Sequence, residues 1–412
     1  MAKDISIIGQ RKRIAVVGAG IGGLVSALKL AHDGFEVKVF ESSDYPGGKI
    51  RTLDSASGPV NIGPTVLTML SVFQGLFKEV GENIFDHLEL KEQKILARHW
   101  WSDGTEFDLL SNKDDAYDEV RRVFGGKAGK QYISFFNSTE EMFNCFEKPI
   151  MKSSSPATLE ILSGICKNPK IIPALFPFFT LEKYLKSKFS EPKLQQLFGR
   201  YSTYVGGSPL SSPALMALVW QAEARGVWTV EGGISSVARA IEKLAMDRGV
   251  EFNYGHRVIE IQKSNSLVNK VYLDDGTSHG ADAVIFNGDP RALATGLLGS
   301  DLRNIANKTR NANRSLSANV WGFESKTINK NLVHHNVFFS DKVNSEFFEI
   351  EKGQIPLNPT LYICAQDREE PNKSQKSERF EIILNAPPLS KRNQNKEDFE
   401  ICKSVTLECF KN

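Results

Sequence analysis

One segment constrains this chain more than any other: Arg13-Ile14-Ala15-Val16-Val17-Gly18-Ala19-Gly20-Ile21-Gly22-Gly23. The short apolar run that ends at Val17 reads as a parallel strand buried on both faces. After the glycines, apolar residues from Leu24 to His32 recur at helical spacing until Asp33-Gly34. A second strand, Glu36 to Phe40, then closes on Glu41, which completes a βαβ unit. In the dinucleotide fingerprint Gly18 allows the tight turn, Gly20 lets the backbone approach a pyrophosphate, and Gly23 lets helix pack on strand. The helix N-terminus offers free N–H groups to phosphate. Glu41 follows Gly23 by 18 residues, where a carboxylate binds ribose hydroxyls. An acid there disfavours a 2′-phosphate, which leaves FAD or NAD rather than NADP.

Tyr45-Pro46-Gly47-Gly48-Lys49-Ile50-Arg51-Thr52 comes next and carries two glycines and two cations. A loop of this kind can return to the pyrophosphate, where cations offset phosphate charge. Gly58 to Thr65 follows as a rigid turn-strand-turn.

Composition narrows the remaining classes. A chain of 412 residues is long enough for two to three domains. The net charge of +2 carries no signal for nucleic acid. No apolar run approaches the ~20 residues of a membrane span. The first residues contain no secretory signal core. The 5 cysteines are scattered without a CxxC pair, as reduced thiols in a cytosolic protein would be. Phenylalanine is in excess, 26 against 9 Tyr and 5 Trp, which suits a large apolar core or an apolar ligand.

The series GAGIGG, Phe40-Glu41-Ser42, PGGK and Gly63-Pro64-Thr65 resembles the flavin amine oxidase and carotenoid desaturase superfamily. The resemblance implies FAD, with Gly47, Gly48, Lys49 and Arg51 along its pyrophosphate and Gly63, Pro64 and Thr65 near the isoalloxazine. Many members carry Arg where Lys49 stands, so a bidentate phosphate contact becomes a single-point one. Leu197 to Pro209 (LFGRYSTYVGGSP) and Gly226 to Gly233 are similar to the bacterial phytoene desaturase group. Trp220 to Arg225, Asn287 to Arg291 and His334 to Asp341 look most like its 1-hydroxycarotenoid 3,4-desaturase branch. That branch implies FAD-dependent desaturation of the C3–C4 bond of a lipophilic C40 carotenoid. A phytoene desaturase, an amine-oxidase-type enzyme and a non-catalytic remnant are the alternatives.

The resemblance further implies that the backbone of Val258 meets the adenine. Glu223, Asp289 and Arg291 are the polar candidates for catalysis, with a simple Asp289–Arg291 ion pair as the plainer reading. His334-His335 lacks HExxH and a nearby acid at ligand spacing, so no metal is expected. No GxSxG elbow supports a hydrolase. The segment 171–189 is either an amphipathic core helix or a membrane-docking one. In the second reading Phe176, Phe178 and Phe179 enter the lipid interface, and Lys183, Lys186 and Lys188 meet head groups. A C40 substrate favours docking, on the inner face of the cell membrane. The electron acceptor stays open.

The fold expected is α/β: a Rossmann-like FAD-binding domain (1–75 and 226–292), a mixed-sheet substrate domain (76–110 and 293–412) and a helical membrane-facing lid (111–225). The phenylalanines would line a polyene tunnel. Superfamily members close the FAD domain with a late glycine-rich segment, whereas the last glycine here is Gly353. The sequence therefore reads as a member that lacks this segment.

Overall fold

Strand β1 (Arg13–Val17) is buried from Ile14 to Val17 because both faces of its sheet are covered. The computed structural model describes residues 12–153, 158–176, 178–326, 331–342, 344–368, 377–389 and 396–409. Residues 1–11 of the expected FAD domain, Pro177 of the docking segment and residues 369–376 lie outside them. Beside β1 run β2 (Glu36–Phe40), β9 (Glu251–Asn253) and β13 (Ala283–Phe286), all parallel, in the order β13-β1-β2-β9.

Helices Ile21–His32 and Ser235–Met246 cover one face, where Leu24, Ala27 and Leu28 meet Val237, Ile241 and Leu244. On the other face lies an antiparallel sheet of β10 (Val258–Ser264), β11 (Leu267–Leu273) and β12 (Ser278–Gly280), which packs Ile261 and Val271 against Ala15, Val17 and Phe40. The helix Leu70–Glu79 runs across the boundary expected at residue 75, and Phe77, Val80, Ile84 and Leu88 belong to the same core. Leu293, Leu298 and Leu302, expected in the substrate part, likewise pack under β1.

The second sheet has six strands in the order β14-β17-β16-β15-β6-β7. They are β6 (Ile95–Trp100), β7 (Glu106–Leu110), β14 (Ser317–Ser325), β15 (His335–Phe338), β16 (Leu361–Ala365) and β17 (Glu378–Ala386). The β15–β6 pair is parallel and the others antiparallel, so the sheet is mixed. Two ribbons join the sheets: β3 (Arg51–Leu53) with β4 (Val60–Ile62), and β5 (Leu90–Glu92) with β8 (Trp228–Val230).

Helices from Lys113 to Gly199 pack on the six-stranded sheet. Asn112 opens them by accepting hydrogen bonds from the Asp114 and Asp115 amides. Their core is aromatic: Phe135 and Phe198 pack on Trp220, and Phe189 packs on both of them, each no more than 2% exposed. Each buried ring of this size contributes about 2–3 kcal/mol. Many of the phenylalanines are therefore core, although Phe85, Phe176, Phe178 and Phe348 are exposed. Among the described residues no phenylalanine lines the large cavity described below, contrary to the expected tunnel.

The segment 171–189 is not one helix. A tight helical turn (Pro169–Leu175) and a helix (Leu181–Lys188) are separated by a break, and Pro173 cannot donate within the first. No helix among the described residues is long and apolar enough to cross a membrane.

Candidate functional site

The glycine turn is built around close backbone approach. A Cβ on Gly23 would stand 2.0 Å from the Gly18 carbonyl oxygen, so helix and strand meet only without a side chain there. Among the described residues no side chain caps the helix that starts at Ile21, and its first turn holds no acid, which leaves its positive end free for an anion. The Asn287 side chain, at the end of β13, packs against Gly20 and Gly22.

The buried Glu41 carboxylate accepts the amides of Ala19 (2.8 Å) and Ser43 (2.9 Å) and the Ser42 hydroxyl (3.2 Å). A carboxylate has about four acceptor positions, so one remains for a ribose hydroxyl. The 47–52 loop does come back to the first turn. Gly47 N donates to Ala19 O at 2.9 Å, and a Cβ on Gly48 would lie 3.1 Å from the Gly20 Cα. Val258 begins β10 and is buried beside Val17 and Phe40. Just before it, the His256 amide donates to Glu41 O at 3.0 Å.

A cavity of about 1110 Å³ opens beyond this turn. Lys49, Arg51, Gly63, Pro64, Thr65 and Asp289 line it, and so do Arg200, Tyr204, Arg314 and Tyr362. Gly63 has φ +119° and leaves no room for a Cβ, which would stand 2.1 Å from the Lys49 carbonyl oxygen. Its amide donates to Glu381 Oε1 at 2.5 Å. Burial raises the Glu381 carboxyl to about 8, against the pull of that hydrogen bond. Thr65 Oγ1 accepts from the Tyr362 hydroxyl at 2.7 Å, and His335 Nδ1 lies 2.6 Å from the same hydroxyl.

Burial pushes His335 well down and His334 down to about 4, so both rings are neutral near pH 7. The fold adds a neighbour that spacing could not reveal: Cys364 Sγ lies 3.5 Å from His334 Nε2. Desolvation holds that thiol protonated.

The three polar candidates separate. Glu223 is buried behind the cavity, where it accepts the Tyr201 hydroxyl at 2.6 Å and the Tyr204 hydroxyl. Asp289 lies on the cavity wall, caps the short helix Pro290–Thr295 through the Arg291 amide (3.0 Å) and pairs with Arg314 at 2.7 Å. These contacts lower its pKa. The ion pair expected with Arg291 is thus made with Arg314, because capping turns only the Arg291 backbone toward the carboxylate. Arg291 lines a smaller neighbouring cleft of about 550 Å³ with Arg310 and Arg314.

Arg200, Tyr204, Tyr362, Asn287, Glu381 and Arg314 escaped the sequence reading as site residues. Arg200 and Tyr204 are brought together by the tight turn over 200–205, which the sequence pattern did not announce. Tyr362 and Glu381 are brought in by strand pairing, whereas Asn287 and Arg314 lie in the connections after β13 and before β14.

In the docking segment Phe176 and Phe178 are 59% and 85% exposed, but Phe179 packs against the aromatic core. Lys186 is engaged by Glu182 at 2.7 Å, and Lys188 lies over the Tyr184 ring. The expected set of three aromatics and three free lysines reduces to two aromatics, with Lys183 exposed beside them.

A model of the flavin containing amine oxidoreductase family matches residues 21–321. A hydroxyneurosporene desaturase of Cereibacter sphaeroides is 43% identical over 396 residues, which cover 96% of this chain and 80% of that protein. A 1-hydroxycarotenoid 3,4-desaturase of Flavobacterium sp. is 31% identical, over 91% of this chain and 77% of that protein. Among solved structures, an oxidoreductase from Methanosarcina mazei superposes with a TM-score of 0.63 at 17% identity, over 96% of this chain and 83% of the other. That likeness carries the fold alone.

Proposed function

Because the chain belongs to the flavin containing amine oxidoreductase family and, within it, to the carotenoid desaturases, we propose that it desaturates the C3–C4 bond of a 1-hydroxy-carotenoid. The enzyme is an FAD-dependent oxidoreductase acting on CH–CH groups in carotenoid biosynthesis.

The residues present fit the cofactor. An uncapped helix N-terminus faces the glycine turn, a carboxylate with spare acceptor capacity stands behind it, and two cations follow. In this reading the helix at Ile21 and Lys49 hold the pyrophosphate with the Gly47-Gly48 backbone, Arg51 adds charge, and Glu41 holds the ribose. The Val258 backbone adjoins the adenine, and Gly63, Pro64 and Thr65 border the flavin. Bound there, FAD supplies a hydride acceptor.

The single observation that carries the reading is the cavity of about 1110 Å³, which runs from Lys49 and Arg51 to Arg200 and Tyr362. In this reading its Lys49–Thr65 side takes the flavin end of FAD, and its Arg200–Tyr362 side takes one end of a long substrate. The chain's own part is orientation and exclusion of water: Ile62, Val66, Val320 and Ile383 supply apolar walls. His335 and Tyr362 hold the Thr65 hydroxyl in place.

Exposed Ile172, Phe176 and Phe178 support docking at a membrane surface, with Lys183 beside them at the head groups. A substrate that does not dissolve in water must be collected there, and we place the enzyme on the inner face of the cell membrane.

The test is incubation of the flavin-loaded protein with liposomes holding 1-hydroxyneurosporene, phytoene or, separately, an amine. A red-shifted polyene spectrum with the first substrate is expected. Conversion confined to phytoene or to the amine would overturn the assignment.

A further inference from the structure

Arg200 is a buried cation on the wall of a cavity that this reading assigns to a hydrocarbon, and the inference rests on that reading. The helix Pro192–Gly199 passes directly into a tight turn over Arg200–Val205, which stacks three side chains. The Arg200 guanidinium carbon lies 5.2 Å from the Tyr201 ring centre and 5.7 Å from that of Tyr204. Its Nε is buried without a hydrogen-bond partner among the described residues. No carboxylate pairs with it directly among those residues. The Tyr204 and Tyr201 hydroxyls act on the guanidinium ahead of Glu223, which spends its two oxygens on those same hydroxyls.

A guanidinium taken out of water is costly unless oxygen acceptors meet its N–H groups, and aromatic stacking replaces only part of that loss. A plain polyene has no acceptor to offer. We propose that Arg200 and Tyr204 form the receptor for the oxygen carried at C1 of the substrate end group. The C1 hydroxyl oxygen accepts from the Arg200 guanidinium and donates its proton to the Tyr204 phenolic oxygen. The direction of the second bond follows from the structure. The Tyr204 proton is already committed to Glu223, so its oxygen, which the Arg200 guanidinium also approaches, can only accept.

Only C2 separates C1 from the C3–C4 bond, so an anchor at C1 also fixes which bond reaches the flavin side of the cavity. Thr65 and Tyr362 line that same cavity with Arg200 and Tyr204. A methyl ether at C1 can still accept from Arg200 but has no proton for Tyr204.

The experiment compares flavin-loaded wild type, Arg200→Met and Tyr204→Phe on three carotenoids in the same liposomes: the 1-hydroxy compound, its methyl ether and the parent hydrocarbon. The readouts are kcat/KM and, separately, Kd from quenching of tryptophan fluorescence. Wild type should favour the hydroxylated substrate over the hydrocarbon by about 100-fold or more. Arg200→Met should cut that preference to below about 10-fold, and mainly by loss on the two oxygenated substrates. Tyr204→Phe, which keeps the ring stack, should weaken the hydroxy compound by about 10-fold and leave the ether unchanged.

Far-UV dichroism and flavin content show whether each variant is folded. Equal losses on all three substrates in a folded Arg200→Met protein would overturn the receptor, as would an unchanged preference. Wild-type protein that converts none of them would sink the desaturase reading instead, and the Kd ratios alone would then decide the receptor.

Discussion

The Gly63 amide donates to the buried Glu381 carboxyl at 2.5 Å, which ties the turn after β4 to β17 of the six-stranded sheet. The contact joins the two halves of the molecule at the cavity wall, and it does so through an acid that burial keeps protonated at neutral pH.

That acid makes stability depend on pH. In the unfolded chain the Glu381 carboxyl loses its proton near its ordinary value of 4.5, whereas the folded state holds it to about 8. Between those values the unfolded state binds fewer protons. The contribution is therefore complete below about pH 4.5 and is lost as pH rises to about 8. Glu381→Gln, which keeps an oxygen for Gly63, should remove a fall on the order of 3 kcal/mol between about pH 5 and pH 9. Urea melts at both pH values check this. Parallel curves for wild type and variant would refute it.

Glu41→Ala should give a folded protein with little bound flavin. The change removes the ribose acceptor and also the acceptor of the Ala19 and Ser43 amides, so far-UV dichroism is recorded beside flavin content. Flavin absorbance against protein concentration after desalting is the measurement, and full occupancy would count against the ribose role.

Gly63→Ala and Gly34→Ala form a matched pair. Both glycines have positive φ, but a Cβ on Gly34 meets nothing within 4 Å among the described residues, whereas on Gly63 it strikes the Lys49 carbonyl. Gly34→Ala should cost about 1 kcal/mol, and Gly63→Ala about 3 kcal/mol or more, together with flavin affinity. Similar denaturation midpoints for the two would remove the steric argument.

Replacing Phe176 and Phe178 together with Ser should lower binding to liposomes at least about tenfold without loss of stability, because both rings stand in solvent. Co-sedimentation is the readout. The same change at Phe179 should destabilise the protein, since that ring packs into the core.

The local frame was legible early because its determinants are contiguous. The run from Arg13 to Glu41 contains strand, turn, helix, strand and acid in order. The glycine spacing is dictated by backbone approach, which no later residue can alter. The return of Gly47-Gly48 to the first turn was legible for the same reason.

The partners of Asp289, Gly63 and Glu223 were not. Asp289 meets Arg314 rather than Arg291, Gly63 meets Glu381, and Tyr362 meets Thr65 from 297 residues away. Many phenylalanines that seemed suited to a polyene, among them Phe135, Phe143, Phe189 and Phe198, pack instead into the helical core, because apolar side chains are selected by any dry environment alike. The sequence by itself determined the dinucleotide frame, where spacing along one backbone is the whole constraint. Only the tertiary structure decided which polar groups face the cavity. Strand register and helix packing bring those side chains together across long stretches of chain, and periodicity along the chain carries no record of a neighbour in space.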